Sequence, residues 1–264
     1  MIRGIGGRPF INLDPFLDID GFKKLYYEMC YGITKAKIKK EGNICKPGGM
    51  GNFQTPLKPL FQAIEEYNSL PEDHEAKKYG KMIGELKNRD EFVRFLKLSL
   101  GAYDPYKFIF IKSEEGGWES RFEEKPWTDD AQYFPGLVKW LKSLTDPSGQ
   151  NVFEYLGRVI FMMSEHDVKM PRHRDIILPE EDYTDHRHEY IHIRPNSNKG
   201  FYIADGPYTK DEDLHWVNCH ACFFNDQDWH GGFHTESQSF SLRIDGKFTD
   251  SFRKKIRIDH LEYY

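Results

Sequence analysis

Two short stretches hold the residues best able to do chemistry. One is HEYIH at 188–192, which spells H-E-x-x-H. On a helix, His188 and His192 would lie one turn apart on one face and could share a zinc ion, with Glu189 as the general base of a peptidase. On a strand they also share a face, but about 13 Å apart, too far to chelate one ion. The other stretch is MPRHRD at 170–175, containing His173-x-Asp175. It is followed by FFNDQDWHGG with His230 and, thirteen residues later, by Arg243 in SFSLRIDG. Residues i and i+2 share a strand face. Two imidazoles and one carboxylate can cover one side of a metal ion and leave three coordination positions open. An arginine on a strand beyond the distal histidine can pair bidentately with a carboxylate.

The elements that must position these residues fall into two regions. DGFKKLYYEMCYGITKAKIKK reads as a helix. TPLKPLFQAIEEYNSL (55–70), with Thr55 as N-cap and Pro56 just inside, reads as another, and HEAKKYGKMIGELKN and RDEFVRFLKLSLGAY as two more. YKFIFIKS (106–113) changes to a β-rich run, and FPGLVKWLKSL (134–144) returns to helical spacing. Thereafter EYLGRVIFMMSEHD, HEYIHIRP, KGFYIAD, LHWVNCHACFFND and SFSLRIDGKF are strand-like runs parted by turn chemistry, the pattern of an all-β sandwich or barrel. The zinc reading weakens here. Tyr190, Ile191 and Ile193 favour a strand and Pro195 stops a helix, so EYIHIRP, the turn NSNKG and FYI are expected to form two paired strands. A longer zinc motif would need glycine at 195 and histidine at 198, where the chain has Pro195 and Asn198.

At PRHRD, at the following strand with its histidine, and at FFNDQDWH, the chain resembles the Fe(II)/2-oxoglutarate-dependent dioxygenases. Within them it is most similar to the aspartyl/asparaginyl β-hydroxylase-like branch. The resemblance covers about residues 155–250. It implies a mainly β fold with α additions: a double-stranded β-helix (jelly-roll, cupin-like) catalytic core over 105–264, with a mainly helical region over 1–104 packed on it. It also implies that His173, Asp175 and His230 hold Fe(II), and that 2-oxoglutarate chelates the iron with its distal carboxylate on Arg243. O2 would then be used to hydroxylate an amino-acid or peptide side chain or another small substrate. Two departures stand out. Some members of the branch lack the carboxylate ligand that Asp175 supplies here. Tyr190 occupies the arginine position of the branch's R-x-H element, which leaves His192, and Arg194 two residues on, as candidate co-substrate contacts. Tyr190, His192 and Arg194 alternate onto one strand face. His234 is the rival to His230 as third ligand.

Composition bounds the rest. The 264 residues are 39% hydrophobic, 15% aromatic and 30% charged, with a net charge of −5, which fits a folded chain and disfavours broad nucleic-acid binding. Ten of the eleven histidines lie from His166 onward, which concentrates any metal chemistry there. Neither RGIGGRP nor KPGGMGN continues as a phosphate loop. No apolar run is long enough to span a bilayer, and MIRGIGGRPFINLDPF lacks the apolar core of a signal peptide. Four cysteines, including the CHAC pair at 219–222, make no disulfide scaffold, and a reducing cytoplasm is the expected compartment. Two other readings remain: the zinc metallopeptidase at 188–192, and a jelly-roll binding module without turnover.

Overall fold

In SFSLRIDGKF every second residue is apolar, so an extended chain puts Phe240, Leu242 and Ile244 on one face and Ser241, Arg243 and Asp245 on the other. A computed structural model describes residues 4–36, 40–41, 60–84, 89–100, 107–113, 123–164, 170–174, 189–195, 200–232 and 239–259. Its strands are β1 (Phe10–Asn12), β2 (Lys40–Glu41), β3 (Lys107–Lys112), β4 (Phe153–Ser164), β5 (Met170–His173), β6 (Glu189–Ile193), β7 (Phe201–Ala204), β8 (His215–Trp216), β9 (Ala221–Phe224), β10 (Trp229–Gly232) and β11 (Ser239–Phe248). They pair antiparallel into two sheets. The larger has seven strands in the order β1-β9-β6-β11-β4-β3-β2, and the smaller four in the order β5-β10-β7-β8. The fold is therefore mainly antiparallel β with helices added. The N-terminal region is not purely helical, since β1 and β2 close the two edges of the larger sheet.

The expected pairing of EYIHI with FYI does not form. β6 pairs with β11 and β9 in the larger sheet, while β7 pairs with β10 and β8 in the smaller. Phe201 instead faces His192 across the gap between sheets, ring centroids 5.2 Å apart. Nearness in sequence thus does not make the two strands a hairpin.

One face of the larger sheet carries Ile109, Ile111, Val159, Phe161, Ile191, Ile193, Leu242 and Ile244, all buried. The helices cover this face. They include α1 (Ile19–Lys24), α2 (Tyr26–Lys35), α3 (Leu60–Ser69), α4 (Glu75–Ile83), α5 (Arg89–Ser99), α6 (Pro135–Lys142) and α7 (Asp250–Ile256). The sequence run read as one long helix is α1 and α2, broken at Leu25. Tyr26 of α2 stacks on Phe240 at 5.8 Å, Phe134 leans on Phe161 at 5.1 Å, and Phe252 of α7 meets Phe248 at 5.1 Å. Gly32 is what lets α2 come close: a Cβ there would stand 2.4 Å from the Phe134 ring. None of the described helices is long and apolar enough to cross a membrane.

Candidate metal centre

The second face of the larger sheet looks toward the smaller sheet and is built differently. It carries Arg158, Tyr190, His192, Arg194, Arg243 and Asp245, each buried. Between the sheets Phe201 of β7 and Phe224 of β9 meet at 5.0 Å, and Phe224 lies 5.1 Å from the His230 ring.

His173 ends β5 and His230 lies in β10, directly opposite each other across the ladder. Their ring centroids are 4.4 Å apart. Strand alternation turns the neighbours of His173 the other way. Arg172 lies over the Tyr202 ring and donates from Nη1 to the carbonyls of Gly206, Pro207 and Thr209, at 3.3, 3.1 and 2.7 Å. Arg174 lies over Trp229. His230 is buried, and its Nδ1 is 2.9 Å from the carbonyl oxygen of Asp228. A carbonyl can only accept, so Nδ1 carries the proton and, in the neutral ring, the lone pair is on Nε2, where it can bind a metal. Two imidazoles so placed suit Fe(II), as they suit other borderline divalent metals. Asp175, the expected third ligand, lies outside the described residues, as do His188 and His234. Among the described residues no group of three or more His, Cys, Asp or Glu side chains is arranged to hold a metal.

Arg243 pairs with His192 across β11 and β6, so both side chains stand on the face between the sheets. The Arg243 guanidinium lies over the Tyr190 ring, 3.8 Å from its centroid. Its Nε donates to Asp245 Oδ1 at 2.6 Å and its Nη2 to Asp226 Oδ2 at 2.9 Å. Arg158 Nε donates to the second oxygen of Asp245 at 2.9 Å. Tyr190 donates its hydroxyl to the Phe224 carbonyl at 2.6 Å. His192 faces Phe201, with Cys222 Sγ 3.9 Å from its Nδ1. Arg194 shares this strand face and donates from Nη2 to the carbonyls of Val217, at 2.9 Å, and Cys219, at 2.5 Å. Burial lowers Arg194 from the ordinary guanidinium range. It thus ties down the chain leading into β9. Asp226, Asp228, Asp245 and Arg158 did not stand out in the sequence. One signal was available for Asp245, which sits two residues from Arg243 and so shares its face.

The helix that a zinc peptidase at 188–192 requires is absent, because Glu189–Ile193 is a strand. Glu189 faces away from His192. It is buried and accepts from Arg253 Nε at 2.7 Å, from Arg253 Nη2 at 3.0 Å and from the Phe248 amide at 2.6 Å. A carboxylate held this way braces α7 on the face opposite His192, out of reach of a metal held there, so the peptidase reading is corrected here. The CHAC thiols are buried. Burial pushes Cys222 well above the ordinary thiol range, and a hydrogen bond with Cys222 lowers Cys219.

No family model matches the chain, and no curated protein matches it. Among solved structures, a Pseudomonas putida prolyl-4-hydroxylase is similar at 14% identity over 55% of this chain and 76% of its own, with a TM-score of 0.28. An oxidoreductase of the 2OG-Fe(II) oxygenase family from Burkholderia pseudomallei is similar at 11% identity over 73% of this chain and 92% of its own, with a TM-score of 0.32. These likenesses are distant.

Proposed function

We propose that this chain is an Fe(II)- and 2-oxoglutarate-dependent dioxygenase that hydroxylates an amino-acid or peptide side chain or another small substrate. Its two sheets are read as a double-stranded β-helix core over 105–264, with the region 1–104 packed against it. The observation that carries the reading is the cross-strand pair His173–His230 in one sheet, facing a wall of the other sheet that bears Arg243 and His192. His173, Asp175 and His230 would hold the iron, which when bound supplies the oxidising chemistry that, with 2-oxoglutarate and O2, puts oxygen into a C–H bond.

The protein's own groups then have separate tasks. The Asp228 carbonyl holds the His230 proton on Nδ1 and fixes the ring's direction. Arg243 offers a guanidinium to the distal carboxylate of the co-substrate, and its position over Tyr190 limits its rotation. His192 stands beside it to contact the co-substrate, and Arg194 backs the same strand face by fixing the chain before β9. Phe201 and Phe224 keep water from the inner wall.

The reading is tested by anaerobic titration of metal-free protein with Fe(II) and then 2-oxoglutarate, watching for the weak visible charge-transfer band of the chelate. The band should form with the native chain and be lost in His173→Ala, His230→Ala and Asp175→Ala. Metal binding with no band at any 2-oxoglutarate concentration would overturn the dioxygenase reading in favour of a binding module without turnover.

A further inference from the structure

The partners of Arg243 pose a chemical problem. Arg243 is only 4% exposed, and two carboxylates already accept from its Nε and Nη2. The two carboxylates are not equivalent. Asp245 sits two residues along the same strand face, is fully buried, and is shared with Arg158. Asp226 comes from the turn joining β9 to β10, four residues before His230, and reaches Arg243 from outside its strand.

These four side chains, Arg158, Arg243, Asp226 and Asp245, carry two positive and two negative charges. A co-substrate carboxylate added beside Arg243 would set three anions against two cations in a space with little water, where uncompensated charge is costly. The sum is kept when the Asp226 carboxylate turns out of this space toward solvent as that of the co-substrate enters. Asp226 is the one to leave, because a turn carries it, whereas Asp245 is fixed on Arg243's own strand. The turn has an anchor that tolerates the exchange. Asp228 receives the Gly4 amide on its carboxylate at 2.7 Å and the His230 proton on its carbonyl, so the support of His230 is held by contacts that Asp226 does not make.

We propose that Asp226 is an internal substitute for the distal carboxylate of the co-substrate: it holds Arg243 until a dicarboxylate displaces it, and thereby sets the affinity and selectivity for that co-substrate. This rests on Arg243 being the co-substrate's partner, as read above.

The test is calorimetric, on the full chain with Mn(II) in place of iron, using 2-oxoglutarate and 2-oxobutyrate. The second ligand keeps the keto-acid end and has a methyl group where the distal carboxylate would be. Asp226→Asn should bind 2-oxoglutarate at least about tenfold more tightly than the native chain, with 2-oxobutyrate unchanged. Asp226→Glu, which keeps the charge, should stay within a few-fold of native. Arg243→Met should lose the preference for 2-oxoglutarate over 2-oxobutyrate. If Arg243→Met loses that preference while Asp226→Asn binds 2-oxoglutarate no more tightly than native, Asp226 only positions the arginine and the proposal is overturned alone. If Arg243→Met binds 2-oxoglutarate as native does, the co-substrate reading of Arg243 falls and takes the proposal with it. Should Asp226→Asn not fold, the aspartate carboxyl carbons of the native chain can be followed by NMR with diamagnetic Zn(II) in place of Mn(II), with Asp226→Glu supplying the assignment. An Asp226 signal unmoved at saturating 2-oxoglutarate overturns the proposal.

Discussion

The two faces of the larger sheet share the same strands and almost nothing else. On β4, β6 and β11 one set of alternate residues is Val159, Phe161, Ile191, Ile193, Leu242 and Ile244, pressed against helices. The other set is Arg158, Ile160, Tyr190, His192, Arg243 and Asp245, mostly polar and facing the smaller sheet. The helix side is held by non-directional burial, which tolerates changes of shape so long as volume is kept. The inner side is held by paired charges and hydrogen bonds, each of which becomes a penalty when its partner is removed. Apolar packing and charge pairing are thus separated by a step of a single residue along each strand, and a one-residue slip in register would exchange them.

Four substitutions press on that contrast. The largest effect is expected from Asp245→Ala, which removes the carboxylate shared by Arg158 and Arg243 and should cost about 3–5 kcal/mol in urea unfolding; a loss below about 1 kcal/mol would show that the charge network does not hold the inner face together. Next is Glu189→Gln, a charged group on the helix side, where it clamps Arg253. It should cost about 1.5–3 kcal/mol and leave metal affinity at the histidine pair unchanged. A drop in metal affinity would revive the peptidase reading.

Asp146 lies on neither face and ties the chain before β4 to Lys255 of α7. Burial pushes its carboxyl up, but hydrogen bonds from Lys255, from the Ser148 hydroxyl and amide, and from the Gln150 amide outweigh that and bring it from 3.8 to about 2. A depressed folded-state pKa contributes stability above the unfolded value, and this is lost as pH falls through the folded one. Asp146→Asn should therefore be less stable than native by about 1–2 kcal/mol at neutral pH, with the gap closing between pH 4 and pH 2. A gap that stays constant down to pH 2 would refute the assignment. The smallest effect is expected from Ile244→Val on the helix side, about 1 kcal/mol by thermal unfolding, with 2-oxoglutarate affinity untouched. Altered affinity there would mean that the two faces are coupled through the strand.

Much of the frame was legible. The change of period at YKFIFIKS and the alternation in SFSLRIDGKF reflect the two-residue repeat of a strand, which any sequence with one apolar face displays. The structure puts His173 and His230, two members of the expected metal pattern, on adjacent strands of one sheet. Which way Arg243 points was not legible, because Leu242 and Ile244 beside it are equally compatible with an inner or an outer apolar face. The sorting of β6 and β7 into different sheets was also hidden, since a short connection between two strand-like runs looks the same for a hairpin and for a crossing. HEYIH misled at the level of letters, because its meaning depends on whether four residues span about 6 Å on a helix or about 13 Å on a strand.

The order of residues alone showed most of the helical and strand-like runs, that the histidines gather late in the chain, and that His173, Asp175, His230 and Arg243 come in an order suited to a metal and a carboxylate. Local periodicity and side-chain chemistry suffice for that. Only the tertiary structure decided that Arg243 lies between two aspartates, that Asp228 directs His230, and that Glu189 braces a helix. These contacts join residues from 2 to 64 positions apart, and their partners are chosen by which strands the two sheets bring together, a choice that burial makes over the whole chain and no local pattern records.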